Sequence, residues 1–474
     1  MSSNAIARLQ RLAWIFTEKF GLIFLSIFSF FVFSYFLTPY ELGIAVLMLA
    51  IAELVSLFFS SMIDNSYISK KDITPRDDGT LFWVGLLLST AIAFVLALLL
   101  ARFTFDDIYF WHIMLAMTYL PLQALARVHI VHLRRDGDFK SLALRTLLGK
   151  VVGLLAGCAL AVVGLGVLGF IVQSIFMAAI SSFLILLKHR RHLPLSFDIN
   201  LLKETFILGF PAALKSLSEN AVDKGIIFAL SIFSGPSAVG LFNFANRLVQ
   251  LPAKAFSSAV MTYGHPVLSR KVNNKLAVSD FFLGLTQVCF MVISPLFVVF
   301  SALGDSIVEL IFLERWWPAG ELLQALALIA ACSFTYVLVP SLLVAYKSTH
   351  RALYAELIST AIAILVCLYF ASSLGAFAGV VSIGVKLAIM LPVNLFVAQS
   401  ITQGAWKLTM ALSRPFIYNA VIFYLLHVLK GSFGQVGILE ILALSVIALS
   451  SYLVLFFLFE RRTLSAFWQL FKAS

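Results

Sequence analysis

Apolar runs of twenty or so residues recur from one end of the chain to the other, separated by short polar loops. A run of that length, wound as a helix, crosses roughly 30 Å of hydrocarbon. The runs predict spans near residues 15–37, 43–62, 80–101, 108–128, 141–163, 165–187, 204–233, 238–264, 281–303, 322–346, 351–371, 376–399, 414–430 and 436–459. The fold class expected is therefore an all-α polytopic membrane protein of about fourteen transmembrane helices, an even number that puts both termini on one side. The stretch Met1 to Phe20 mixes Arg8, Arg11, Glu18 and Lys19 with apolar residues and enters the first span without a small-residue cleavage site. The first helix is expected to serve as its own anchor.

The spacing also repeats. Pro39-Tyr40-Glu41-Leu42-Gly43, followed by a helix reaching Phe59-Ser60-Ser61, returns as Pro236-Ser237-Ala238-Val239-Gly240, followed by a helix reaching Phe256-Ser257-Ser258, without a gap. Farther on, Leu120-Pro121 corresponds loosely to Val339-Pro340, and Leu165-Gly166 to Leu374-Gly375. Two pseudo-symmetric six-helix lobes are expected, residues 1–200 and 201–400, with two further helices and a cytoplasmic tail in 401–474. Lobes with an even number of spans are related by an axis along the membrane normal, an arrangement that transporters use around a central cavity with alternating access.

Composition agrees: 61% of the residues are hydrophobic and 12% charged, more apolar surface than a soluble fold buries. Lys and Arg crowd one set of loops and the termini, among them Arg8 and Arg11, Arg134, Arg135 and Lys140, Lys188, Arg190 and Arg191, Arg270, Lys271 and Lys275, and Arg461 and Arg462. The opposite loops hold Arg102, Arg315 and Lys430. Because such loops resist translocation, both termini are expected to be cytoplasmic. This bias explains most of the formal charge of +11, so membrane lipids rather than nucleic acid are the expected basic-patch partner. Trp14, Trp83, Trp111, Trp316, Trp317, Trp406 and Trp468 fall near span ends, as interfacial anchors do. Trp316 and Trp317, in a long outer loop expected from Gly304 to Glu321, stay open as a sugar platform. Cys158, Cys289, Cys332 and Cys367 lie inside apolar runs and read as small buried hydrophobes. The eight histidines show no zinc-like grouping, and no metal or cofactor is expected.

Charges inside the spans carry the functional signal, since each costs on the order of 3 kcal/mol at mid-bilayer and needs water or a partner. Lys150, Lys215, Lys224, Arg247, Lys254 and Lys386 lie well within spans, together with Glu53, Glu219, Asp223 and Glu356. Arg127 and Arg145 sit near span ends, where they are expected to snorkel outward. Lys215, Glu219 and Asp223 recur at four-residue steps on one helix face, and Lys215 and Glu219 either neutralise each other or line a cavity. Arg247, Gln250 and Lys254 share a face of the next helix with no acid between them. Those cations need an anion from elsewhere, either a distant carboxylate such as Glu53 or a bound phosphate, and a diphosphate suits a guanidinium and an ammonium together. The four acids either carry a coupling proton or sodium ion or act as counter-ions. Gly149-Lys150 lacks the flanking residues of a phosphate loop, so an ion gradient is the default energy source.

Several stretches together resemble bacterial polysaccharide biosynthesis proteins, the lipid-linked oligosaccharide flippases of the MATE-like MOP superfamily that serve O-antigen and exopolysaccharide synthesis. They are Leu37-Thr38-Pro39-Tyr40-Glu41-Leu42-Gly43 through Ile68-Ser69-Lys70-Lys71-Asp72, Leu133-Arg134-Arg135-Asp136-Gly137-Asp138-Phe139-Lys140, Gly209-Phe210-Pro211 through Asp223-Lys224, and Gly240-Leu241-Phe242 through Arg247-Leu248-Val249-Gln250-Leu251-Pro252. Ser61-Met62 departs from the glycine expected there. The resemblance implies a non-enzymatic flippase moving undecaprenyl-diphosphate-linked oligosaccharide across the inner membrane, for O-antigen, exopolysaccharide or capsule. It implies a monomer, with a polysaccharide polymerase and glycosyltransferases as the protein partners considered. The alternatives are a flippase for the lipid-linked peptidoglycan precursor and, from another class, a membrane-embedded sugar transferase or polymerase. A net basic stripe disfavours an exporter of organic cations.

Overall fold

The computed structural model describes residues 3–70, 72–103, 109–189, 191–346, 350–402, 405–431 and 437–459. Arg190, Arg461, Arg462, Trp468 and the rest of the expected cytoplasmic tail lie outside the described residues, as do the side chains of Arg8, Arg11 and Trp406. The chain is an all-α polytopic membrane protein. Its helices are α1 (Ser3–Phe36), α2 (Pro39–Ser69), α3 (Pro75–Phe103), α4 (Phe110–Met117), α5 (Tyr119–Asp136), α6 (Phe139–Val162), α7 (Gly166–Lys188), α8 (Ile199–Phe233), α9 (Pro236–Lys271), α10 (Lys275–Ile311), α11 (Ala319–Ser333), α12 (Val339–Ala345), α13 (His350–Leu374), α14 (Phe377–Thr402), α15 (Ala405–Gly431) and α16 (Ile438–Phe459). Among the described residues they make fourteen rods, because α4 and α5 form one interrupted rod and α11 and α12 another. Ten of the rods are long and apolar enough to cross a membrane.

Local chemistry fixes the helix starts, and it does so twice. Thr38 caps α2: its hydroxyl accepts from the Glu41 amide at 3.3 Å while the Glu41 carboxylate accepts from the Thr38 amide at 2.7 Å, a reciprocal box closed by Pro39 at the first helical position. The repeated proline, Pro236, also opens its helix, α9, there after Gly235 at φ +83° and without a side-chain cap. The loose correspondence between Leu120-Pro121 and Val339-Pro340 has a structural meaning. Both prolines stand in the first turn after an interruption, at Thr118 in one rod and at the 3-10 turn Phe334–Tyr336 in the other, where a missing amide donor costs least.

The chain forms two compact units, Met1–Ser231 and Ile232–Ser474, divided in the last turn of α8. In the first unit, α6 and α7 pack backbone to backbone. A Cβ added at Gly157 would lie 2.6 Å from the Gly169 carbonyl oxygen, and one added at Gly169 would lie 2.5 Å from the Gly157 carbonyl oxygen. Such small-residue contacts are how helices associate where lipid supplies no hydrophobic drive. Buried Ser29 on α1 donates to the Gln173 side chain on α7 at 2.7 Å. The variant Gly157→Leu is expected to force these helices apart at a cost of about 1–3 kcal/mol, read as a Tm lowered by several degrees in purified protein; an unchanged Tm would show that the approach is not tight.

In the second unit α10 is the central rod, burying Phe281, Phe282, Phe290 and Phe297. The two C-terminal rods dock on it, with Ile422 and Leu426 of α15 and Leu444, Ala448 and Tyr452 of α16 against Met291, Val298 and Ala302. The outer loop expected from Gly304 to Glu321 is much shorter: α10 continues to Ile311, a 3-10 turn occupies Glu314–Trp316, and α11 begins at Ala319. This corrects the reading of Trp316 as a sugar platform. Its ring is fully buried and stacks on Phe244 of α9 with centroids 4.3 Å apart, so it belongs to the core; Trp317 is exposed.

Candidate functional site

α8 and α9 are long enough to cross a bilayer, with 35 and 36 residues, yet neither is among the ten rods that pass on apolarity. Their polar stripes are where the sequence placed most of its candidates. In the first unit, α8 lies against α2 at Gly209, where a Cβ would collide with the Met62 carbonyl, and Phe210 meets Phe58 edge to face. At Ser61-Met62, α2 runs on as unbroken helix to Ser69.

That approach brings Lys224 to Glu53, with Nζ 2.5 Å from Oε2. Glu53 is thus the partner of Lys224. Lys215 and Glu219 stand 3.8 Å apart with more than half of each side chain exposed, a loose pair. Asp223 is half-buried and makes no hydrogen bond or ion pair among the described residues. Lys150 is half-buried on α6 and engaged. Tyr119, at the interruption between α4 and α5, lies within electrostatic reach of Glu53 and Arg127.

The second unit holds a comparable bridge: Lys386 of α14 donates to Glu356 of α13 at 2.5 Å, both largely buried. Tyr336, in the 3-10 interruption, lies within electrostatic reach of Glu356. Arg247 on α9 is half-buried and engaged. Lys254, two turns farther along, is exposed and has neither a hydrogen bond nor an ion pair among the described residues. Along its whole length α9 carries Arg247, Lys254, Arg270 and Lys271 and no carboxylate. Lys215, Lys224 and Lys386 therefore each pair with an acid of their own unit, and Lys254 pairs with none among the described residues.

Sequence reasoning passed over a further charged cluster in the first unit. Buried Asp64, near the end of α2, accepts from both Arg127 and Arg134 of α5, and Arg127 also donates to the Ser60 carbonyl at 3.0 Å. Arg127 is thereby held inward, which corrects the expectation that it snorkels. Its side chain lines a cavity of about 50 Å³ with Ser56, Ser60, Ser89 and Gln123, room for water beside polar partners. Next to it, Asp78 accepts from the Tyr67 hydroxyl at 2.5 Å and lies 2.8 Å from His132 Nε2. The sequence offers part of this signal: Arg127 and Arg134 are seven residues apart, hence on one face, whereas the approach of Asp64 on α2 is visible only in the fold.

The Arg134–Lys140 stretch proves to be a helix junction. Gly137, at φ +71°, ends α5, and Asp138 starts α6 by accepting from the Ser141 amide at 3.0 Å and the Ser141 hydroxyl at 2.6 Å. Burial disfavours ionisation of Asp138, but these hydrogen bonds and nearby Lys188 outweigh it and hold the carboxyl below its ordinary range.

Residues 32–321 match the model of the family described as polysaccharide biosynthesis protein. The chain belongs to that family. Among its relatives is the teichuronic acid biosynthesis protein TuaB of Bacillus subtilis (strain 168), 22% identical over 270 residues, a match spanning 55% of either chain. The succinoglycan biosynthesis transport protein ExoT of Rhizobium meliloti (strain 1021) is 22% identical over 338 residues, covering 70% of this chain and 68% of that one. The match thus spans about half the length of TuaB. In fold, this member of the polysaccharide biosynthesis family is similar to the lipid II flippase MurJ in its inward closed conformation, with a TM-score of 0.77 at 16% identity over 96% of this chain and all of that one.

Proposed function

We propose that the chain is a flippase carrying polyprenyl-diphosphate-linked oligosaccharide across the bacterial inner membrane by alternating access, for O-antigen, exopolysaccharide or capsule synthesis, with both termini in the cytoplasm. The observation that carries this reading is α9, a helix of spanning length bearing four cations and no carboxylate. A lysine such as Lys254 on such a helix needs water or an anion, and a diphosphate is an anion that a lysine and an arginine bind as point charge and fork. The two interrupted rods support a transporter, since discontinuous helices in corresponding positions of a repeat are typical of transport sites. TuaB and ExoT bear names that place them in polysaccharide synthesis, and MurJ is a flippase of a lipid-linked cargo. In this reading Glu53 and Glu356 are counter-ions that fix Lys224 and Lys386, and Arg247 and Lys254 meet the cargo.

Deleting the gene in its host tests the reading. The expected result is loss of surface polymer with complete lipid-linked repeat units retained in the inner membrane. Incomplete units would point to a sugar transferase instead. Arrest of cell-wall synthesis with normal surface polysaccharide would assign the peptidoglycan precursor, the cargo that the likeness to MurJ favours as a second reading.

A further inference from the structure

Residues 191–198, between α7 and α8, are not helical. They lie as a strap on the start of α3, with some side chains turned toward that helix and others turned away from it. On the inner face, Leu193 joins the cluster of Ile63, Tyr67, Leu81 and Phe82, and its carbonyl accepts from Trp83 Nε1 at 3.4 Å. The Pro194 carbonyl lies so close to Gly79 that a Cβ there would collide with it. Ser196 donates to the Arg76 carbonyl at 2.7 Å and lies 3.3 Å from the Thr80 hydroxyl. On the outer face stand Leu195, 85% exposed, and Phe197, 70% exposed, followed by Ile199, half-exposed, in the first turn of α8.

The depth of this strap follows from its anchor. α3 has 29 residues, about 44 Å at 1.5 Å per residue, which exceeds a hydrocarbon core of roughly 30 Å. Its first two turns, where Arg76, Gly79 and Thr80 hold the strap, therefore reach into the head-group layer. Two large apolar side chains displayed there face the boundary between head groups and acyl chains, where apolar bodies enter and flanking cations reach phosphate. Arg76, His192 and Lys203 are exposed alongside, and the one acid within the strap, Asp198, is occupied in accepting from the Asn200 and Leu201 amides at the start of α8.

We propose that the strap is a lipid-surface anchor: Leu195 and Phe197 insert into the head-group and acyl boundary of the adjoining leaflet and hold the entry of α8 at the membrane surface. This rests on the membrane fold and the pinned geometry, and it stands or falls separately from the identity of the cargo. The test is nitroxide accessibility of the full chain in phospholipid nanodiscs, with the native cysteines replaced and single labels placed by Leu195→Cys, Phe197→Cys and, as a polar reference, Asn200→Cys. A ratio of oxygen to nickel-chelate accessibility several-fold higher at positions 195 and 197 than at 200 is the expected result. Equal ratios at all three positions would place the strap in water and overturn the proposal. Protection of 195 and 197 from both reagents would show them covered by protein, a second copy of this chain included, and would overturn it equally.

Discussion

Lys254→Glu is expected to abolish export of surface polysaccharide while the protein accumulates in the membrane at its normal level. Lys254 is exposed and has no carboxylate partner among the described residues, so its removal strands no buried acid and the fold should tolerate the change. A charge-assisted contact to a phosphate oxygen contributes about 1.5–3 kcal/mol, which is roughly one to two decades of affinity. Reversal adds repulsion of the diphosphate to that loss. Arg247→Glu is expected to act in the same direction. Lys215→Ala should do much less, because an exposed pair such as Lys215–Glu219 contributes about 0–1 kcal/mol. Polymer measured on gels against protein level on immunoblots separates these outcomes, and normal polymer from the Lys254→Glu strain at normal protein level would refute the cationic site on α9.

The contrast among these lysines shows what a sequence can and cannot disclose. The rods were legible because lipid demands a long apolar run wherever a helix faces it, and the repeated prolines marked where α2 and α9 begin. Even α8 and α9 were legible, since their polar residues fall on stripes within runs of spanning length. The cost of charge in a membrane was enough to single out Lys224, Lys386, Glu53 and Glu356. Their pairing was not legible, because Glu53 and Lys224 are 171 positions apart and meet only through the close approach at Gly209. The Lys215–Glu219 pair, four residues apart, could be read directly. Trp316 was misplaced for the same reason. Local hydropathy saw a loop near a span end, whereas the stacking partner, Phe244, is supplied by a distant helix.

Asp64→Ala is expected to destabilise the first unit by about 3–5 kcal/mol, the effect of removing one partner of a buried ion pair. The loss arises mainly at Arg127, whose side chain is 17% exposed, against 43% for Arg134; Arg134 can turn to water, and Arg127 would keep a buried charge facing only the Ser60 carbonyl. Since Asp64 ties α2 to α5, the latter half of an interrupted rod, the damage should appear as loosening of α5 rather than as loss of helix. Tm of the purified protein should fall well below that of the parent while helicity at low temperature is kept. Asp64→Leu combined with Arg127→Leu should recover much of the loss, because a buried ion pair replaced by packed apolar groups is often neutral or stabilising. Recovery of Tm without recovery of transport would give the pair a part in the cycle beyond holding the helices together. A Tm unchanged by Asp64→Ala alone would mean that Arg127 already finds enough water in the cavity beside Ser56 and Gln123 to do without its carboxylate.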